Sequence, residues 1–231
     1  MLVAESLGIK KARVNVKTHS VQWGRFGATT SIGAVVAYGA AAFAPLPDEV
    51  GRLLAFAFGP LLTLSFVGWY RFLAVRRDGP LLQSACLCGI IAGVLVTSML
   101  VIQVGNNMIR EEAIAPAASA EVELAARTAW QAVNRVQFLL DVVWDFFICM
   151  AMVLLGASFL RHPLFGKILG GTGMVVGFVL LVFNLASFPY PPAEAGSIDL
   201  GPLAALWVLV AAIRLLAVSG RVGDAKAVPE R

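Results

Sequence analysis

The chain has 231 residues, of which 59% are apolar and 14% are charged, with a formal net charge of +4 and a mean hydropathy of +0.82. Soluble domains average about 45–50% apolar and about 25% charged residues. Soluble, disordered and collagen-like proteins are therefore excluded, because too few polar residues remain to cover a water-soluble surface. The composition predicts an integral membrane protein.

Six apolar stretches are long enough to cross a bilayer, since a spanning helix needs about 20 mainly apolar residues. They cover residues 27–46, 52–72, 80–104, 137–160, 164–188 and 201–219. Prolines, glycines and charged residues separate them, and they are much longer than the strands of a membrane barrel. We therefore predict an all-α, polytopic membrane bundle with six transmembrane helices, which forms one domain over residues 27–219.

Basic residues predict the orientation of this bundle. If both termini are cytoplasmic, 14 of the 18 Lys and Arg residues lie on the inner side. The four that remain on the outer side are Arg52, Arg110, Arg127 and Arg135. Because cytoplasmic segments of membrane proteins carry an excess of Lys and Arg, we predict N and C termini in the cytoplasm.

The segments outside the bundle are short and basic. Residues 1–26 are interpreted as a cytoplasmic topology determinant and loose tail, and residues 220–231 as a cytoplasmic tail. The alternative for the first segment is that residues 10–25 lie on the anionic inner leaflet. Since the excess charge serves orientation, no nucleic-acid partner is expected. The first span is expected to act as an uncleaved signal anchor.

The second outer connection, residues 105–136, is predicted to be a helical hairpin that extends the third and fourth helices on the outer side. From Ser119 to Leu160 the chain has no helix breaker except Gly156. Such a helix would be about 60 Å long at 1.5 Å per residue, which exceeds a hydrocarbon core of about 30 Å. Ser119 or Ala120 is the predicted start.

Polar residues of the fourth helix are predicted to share one face. At about 100° per residue, a stripe about 80° wide contains the polar or charged positions Glu123, Arg127, Asn134, Gln137, Asp141 and Asp145. The same stripe continues inward through the apolar residues Ile148, Met152, Leu155 and Phe159. The pattern indicates a polar pocket that is open to the outside and closed below by an apolar plug.

The third helix carries a matching polar face at its outer end, and the fifth helix adds Asn184 near its outer end. We predict that the pocket is formed by seven ligand-binding residues: Gln103, Asn107, Arg110, Asn134, Gln137, Asp141 and Asp145. Arg110 is expected to lie within reach of Asp141.

Asp141 and Asp145 are the most informative of these residues, because an ionisable group within a span is costly and usually faces the bundle or water. We favour a binding or sensing module, or a structural subunit, whose outer pocket accepts a small ligand, a lipid headgroup or a partner protein. The first alternative is a small cation- or proton-linked transporter or channel that uses the two aspartates. The second is an intramembrane enzyme. A purely structural role, in which the aspartates pair with Arg110, Arg135 or nearby amides, is equally open.

Other chemistry has little support in the sequence. Three cysteines and two histidines provide no disulfide framework, zinc site or haem site. We therefore predict no cofactor, no metal and no catalytic residues, and an enzyme is the less favoured class. The expected partners are membrane lipids and either a second copy of the chain or another membrane protein. Glycines at positions 166, 170, 173 and 177 predict close packing of the fifth helix.

The C-terminal half resembles a known group of proteins. The strings LLGASFLRHPL (154–164), GKILGGTGMVVGFVLLVFNL (166–185) and LGPLAALWVLVAAIRL (200–215) carry the likeness, which covers residues 140–219. They resemble a widespread group of bacterial six-helix membrane proteins that is defined only as a domain of unknown function. The resemblance implies six helices and a multi-pass location in the bacterial inner (plasma) membrane. It implies no activity and no site residues.

Overall fold

The computed structural model describes residues 2–114, 119–190 and 200–221, with side chains described for 18–111, 119–190 and 200–221. Within these ranges the chain forms six α-helices and a short 3-10 turn. The helices are α1 (Leu2–Phe43), α2 (Asp48–Leu73), α3 (Pro80–Ile114), α4 (Ala120–Leu160), α5 (Gly166–Ser187) and α6 (Gly201–Val218). Each is long and apolar enough to cross a membrane. The predicted all-α, six-helix membrane architecture is confirmed.

The six helices form a closed ring. Each helix packs against the next one in the chain, and α6 returns to pack against α1. The short connections after α1, α2 and α4 favour this order, because short links between helices make sequence neighbours pack antiparallel. The outward faces are apolar, with Phe43 and Ile168 each 85% exposed and Leu53 68% exposed. Such faces suit contact with lipid.

Glycines set the closest helix crossings in the ring. A Cβ atom built on Gly170 of α5 would lie 2.6 Å from the carbonyl oxygen of Gly156 in α4. Gly27 and Gly68 make a similar backbone approach between α1 and α2. Small residues at these crossings let two helix backbones pack directly, as is common in membranes.

The predicted glycine row of α5 is only partly a packing feature. Gly170, Gly173 and Gly177 are buried against α4 or α6, and Gly173 lies under the ring of Trp207. Gly166 instead begins the helix with a φ of 80°, a conformation that favours glycine. A Cβ atom built on it would meet no atom within 4 Å, so no helix packs against it. Three of the four glycines therefore serve the predicted close packing.

Two helix boundaries bear on the sequence predictions. The side chain of Ser119 accepts a hydrogen bond from the backbone N–H of Val122 over 3.3 Å, which makes Ser119 the N-cap of α4 as predicted. The interpretation of residues 1–26 as a loose tail is wrong, because α1 begins at Leu2.

Aromatic side chains fill the ring interior near the end at which α4 finishes and α5 begins. Phe159 of α4 stacks on Phe165 with ring centroids 4.4 Å apart, and it also contacts Trp69 of α2 at 5.3 Å and Trp207 of α6 at 5.9 Å. Since α2, α4 and α6 are not neighbours around the ring, they meet only across its interior. All four side chains are buried. We call this group of four rings the aromatic plug.

Candidate functional site

The face of α4 that enters the ring can be identified from Phe159. Phe159 lies inside the ring, and Asp141 is 18 positions earlier in the chain, which is five full turns at 3.6 residues per turn. Asp141 therefore has the same heading and also faces the interior, while Asp145 is offset by about 40°. Both aspartates are partly buried. Between them and the aromatic plug, α4 presents the buried side chains Ile148, Met152 and Leu155.

A hydrogen bond joins the acidic part of α4 to α5. The side-chain amide of Asn184 donates from Nδ2 to Oδ2 of Asp145 over 2.8 Å. Asn184 is 6% exposed, so it is held deep in the α4–α5 contact. The sequence indicates Asn184 as a polar residue near the outer end of its helix, yet it does not belong to the seven predicted ligand-binding residues. The structure adds it to the site.

Aromatic residues lie beside the acidic pair. Trp144, between the two aspartates in sequence, meets Phe58 of α2 edge-to-face at 6.4 Å. Phe58 in turn packs against Tyr38 of α1 at 4.8 Å. The indole N–H of Trp144 is buried and has no hydrogen-bond partner in the part of the chain that the structure describes. We call Asp141, Asp145, Asn184, Trp144 and Phe58 the acidic site.

The polar residues of α3 belong to a different place. Asn106 is 6% exposed and donates a hydrogen bond from Nδ2 to the backbone carbonyl of Trp130 in α4 over 3.1 Å. The guanidinium of Arg110 lies over the ring of Trp130, 4.8 Å from its centroid. This contact is a cation–π interaction that ties the last part of α3 to the first part of α4.

The register of α3 against α4 separates this contact from the acidic site. Asn106 is level with Trp130, and the two helices run antiparallel. Asp141 is eleven residues further along α4, or about 16 Å at 1.5 Å per residue. Arg110 lies about one turn beyond Asn106 in the opposite direction, so that its Cα is about 22 Å from the level of Asp141. The structure does not bring these two residues together.

The seven predicted ligand-binding residues are therefore dispersed. Asp141 and Asp145 face the ring interior, and Gln137 is partly buried one turn above them. Arg110 contacts Trp130, as described above. Four members of the set are exposed: Gln103, Asn107, Arg110 and Asn134. No single pocket in the described part of the chain contains all seven, and their role in ligand binding stays a prediction.

A separate cavity of about 240 Å³ lies at the opposite end of the ring, between the α2–α3 connection and the end of α4. His162 lines it and is 6% exposed. Burial, and secondarily the positive charge of Arg76, lowers the pKa of His162 to about 4. Hydropathy and helical periodicity give no sign of this cavity, because it is formed where two connections meet.

Metal-binding chemistry has no cluster to support it in the described ranges. Within them, no group of three His, Cys, Asp or Glu side chains is placed to hold a metal ion. Cys86, Cys88 and Cys149 are all free thiols.

Comparisons of the chain with protein-family models, with curated proteins and with solved structures found no match. The likeness of residues 140–219 to bacterial six-helix membrane proteins therefore stays a resemblance.

Proposed function

We propose that the protein is a membrane-embedded binding module that holds a small organic cation inside the helix ring, at the acidic site. The observation that carries this proposal is the hydrogen bond from Asn184 to Asp145 directly above the apolar half of the ring. It fixes the rotamer of a carboxyl group on an interior face. A fixed carboxyl group on a rigid helix is suited to binding a positively charged partner.

The surroundings of the acidic site indicate the class of ligand. Two carboxyl groups one turn apart supply negative charge, which favours an amine or a quaternary ammonium group. The rings of Trp144, Phe58 and Tyr38 lie in one connected row beside them. Aromatic faces attract cations that carry apolar substituents, at about 0.5–2 kcal/mol per contact. A small organic cation fits this combination better than a metal ion does.

The aromatic plug favours binding over passage. Stacked Phe159 and Phe165, with Trp69 and Trp207 beside them, occupy the ring interior between the acidic site and the inner end. A cation moving inward would have to leave the carboxyl groups for a dry aromatic region, at a large cost in solvation free energy. With the predicted orientation, the ligand enters from the outer side of the inner membrane.

Choline and its uncharged analogue 3,3-dimethylbutan-1-ol provide the test, since they differ mainly in charge. We expect choline to raise the thermal unfolding midpoint of the full-length protein in dodecyl maltoside, because a ligand that binds the folded state stabilises it. The uncharged analogue is expected to have little effect. Asp145→Asn should abolish the response while it retains an oxygen that accepts from Asn184. Glu121→Gln, an exposed acidic position at the start of α4, is the matched control and should respond like the parent.

Two results would contradict the proposal: equal stabilisation by both compounds, or an unchanged choline response in Asp145→Asn. Uptake of choline into proteoliposomes that depends on Asp145 would instead support the transporter alternative.

A further inference from the structure

The cavity at the inner end of the ring is a second candidate site, independent of the acidic site. It has a volume of about 240 Å³ and is bounded by the α2–α3 connection on one side and the end of α4 on the other. Its walls include Leu73 and Leu82, which are buried, and the polar residues Arg77, Asp78, Ser158, Arg161 and His162. The predicted orientation places it at the cytoplasmic surface of the membrane.

His162 lines this cavity and carries a buried nitrogen without a hydrogen-bond partner among the described residues. Its Nδ1 accepts a hydrogen bond from the backbone N–H of Leu164 over 3.3 Å. In a neutral imidazole the proton must then be on Nε2. Nε2 is buried and has no hydrogen-bond partner in the described part of the chain. Since buried polar groups are nearly always paired, an acceptor that enters the cavity beside this imidazole would satisfy its N–H.

The charges around the cavity favour an anionic acceptor. Arg77 and Arg161 are exposed at its rim, and among the described residues neither forms an ion pair. Asp78 is the acidic residue of the lining, and its carboxylate already accepts from the hydroxyl of Tyr70, the backbone N–H of Gly79 and the side-chain amide of Gln83. The unbalanced charge in the cavity is therefore positive.

The start of α3 adds to this positive field. The helix begins at Pro80, and Pro80, Leu81 and Leu82 all line the cavity. Backbone N–H groups in the first turn of a helix have no acceptor within the helix, and the helix dipole makes this end positive. Helix N-termini bind phosphate groups for this reason.

We propose that this cavity binds a phosphate group, with the Nε2–H of His162 and the guanidinium groups of Arg77 and Arg161 as its donors. Guanidinium groups match the geometry of phosphate oxygens and form strong charge-assisted hydrogen bonds with them. A phosphate at this depth belongs either to an anionic lipid headgroup of the inner leaflet or to a free phosphate compound from the cytoplasm. The chemistry of recognition is the same in both cases.

The test observes His162 directly. The full-length protein with His19→Gln retains His162 as its one histidine, so ¹⁵N-histidine labelling gives signals from that imidazole alone. Inorganic phosphate is titrated into this protein in detergent, and separate samples receive phosphatidylglycerol or phosphatidylcholine in mixed micelles. We expect the Nε2–H signal to shift with phosphate, with phosphatidylglycerol or with both, and phosphatidylcholine to have a much weaker effect.

Charge variants show whether the shift reports this cavity. Arg77→Gln and Arg161→Gln should each weaken binding about tenfold, the usual effect of losing a hydrogen bond to a charged group. Arg221→Gln removes an exposed arginine outside the cavity lining and is the matched control. It should leave the affinity within about twofold, because salt screens distant exposed charges.

The outcomes separate the two sources of phosphate. A shift with inorganic phosphate identifies a free phosphate ligand, and a shift with phosphatidylglycerol alone identifies a lipid headgroup; both support the site. The proposal is overturned if no probe shifts the His162 signal, or if Arg221→Gln weakens binding as much as Arg161→Gln does. Neither result depends on the choline response of the acidic site.

Discussion

The side-chain amide of Asn184 in α5 donates a hydrogen bond to the carboxyl group of Asp145 in α4 over 2.8 Å. This contact joins α4 to α5. The polar residues Asn106 and Arg110 of α3 contact α4 elsewhere, at Trp130. The deeper aspartate thus has an amide of the fifth helix as a partner. It makes α4–α5 the helix pair that positions the acidic site.

Replacing Asn184 by Ala should weaken this helix contact. The substitution removes the donor from a partly buried carboxyl group. Hydrogen bonds between membrane helices contribute on average about 0.6 kcal/mol, with a maximum near 1.7. We expect a loss of about 1 kcal/mol in the free energy of unfolding, measured by titration with SDS. Asn107→Ala, an exposed amide of α3, is the control and should change it little.

A double-mutant cycle gives the coupling between the two side chains. If Asn184→Ala costs the same in a background of Asp145→Ala as in the parent, the hydrogen bond contributes nothing to stability.

The crossing of α4 and α5 predicts a sharp contrast between two adjacent glycines. In Gly170→Ala the new methyl group would lie 2.6 Å from the carbonyl oxygen of Gly156 and 2.8 Å from the amide nitrogen of Leu160. These backbone atoms can move only if the helices separate, so we expect a loss of about 1–3 kcal/mol, typical of overpacking. In Gly171→Ala the methyl group meets nothing within 4 Å, and alanine favours a helix over glycine.

Gly171→Ala should therefore unfold at the same SDS fraction as the parent or at a higher one. Equal stability of the Gly170 and Gly171 variants would show that the two backbones are not in contact.

Hydropathy was sufficient to predict the number and type of helices, but not where the first one begins. The first apolar stretch of the sequence begins at about residue 27. A hydropathy window cannot find the earlier part of the same helix, because Lys10, Lys11, Arg13, Lys17 and Arg25 make it polar. Nothing in that segment forbids a helix, because the first proline of the chain is Pro45. The backbone continues as α1 for this reason.

Helical periodicity gives the residues of α4 a heading around the helix but cannot predict the level at which each residue meets its neighbour. The spacing of Asp141 and Phe159 gives them a common heading from the sequence alone. The offset between α3 and α4 depends on packing along their whole length and is visible only in the contact of Asn106 with Trp130. The expectation that Arg110 reaches Asp141 is wrong for this reason. The sequence shows which way each side chain points around its helix, but not how far along the helix axis it lies from residues of the neighbouring helix.

The topology of the bundle can be tested with two thiol positions. In a protein whose Cys86, Cys88 and Cys149 are replaced by Ala, we introduce Glu121→Cys at the start of α4 or Gly220→Cys after α6, both exposed. The positive-inside rule places the first outside and the second in the cytoplasm. A membrane-impermeant maleimide should label Glu121→Cys in intact cells and Gly220→Cys only after permeabilisation. The reverse pattern would invert the predicted orientation, and with it the sides assigned to both candidate sites.

Protonation of His162 should destabilise the fold in mildly acidic solution. Burial and the nearby charge of Arg76 lower its pKa from 6.5 to about 4. Below pH 6.5 the unfolded chain therefore binds a proton that the folded protein does not, and the folded state loses stability as pH falls. The stability that comes from keeping His162 neutral is therefore complete above pH 6.5, the pKa in the unfolded chain, and is lost by about pH 4. Since one pKa unit corresponds to about 1.4 kcal/mol, the full difference is about 3 kcal/mol.

His162→Gln replaces the imidazole by an amide that does not titrate, so it should remove this part of the pH dependence. The measurement is the free energy of unfolding in SDS at a series of pH values between neutral and about 4, for the parent and the variant side by side. From neutral pH to about pH 4, the free energy of unfolding of the parent should fall by about 3 kcal/mol more than that of His162→Gln. Carboxyl groups also titrate in this range, but they are the same in both proteins and drop out of the comparison. His19→Gln, at an exposed histidine of α1, should keep the slope of the parent. Parallel curves for the parent and His162→Gln would mean that the imidazole titrates alike in the folded and unfolded chains, and that its burial does not hold it neutral.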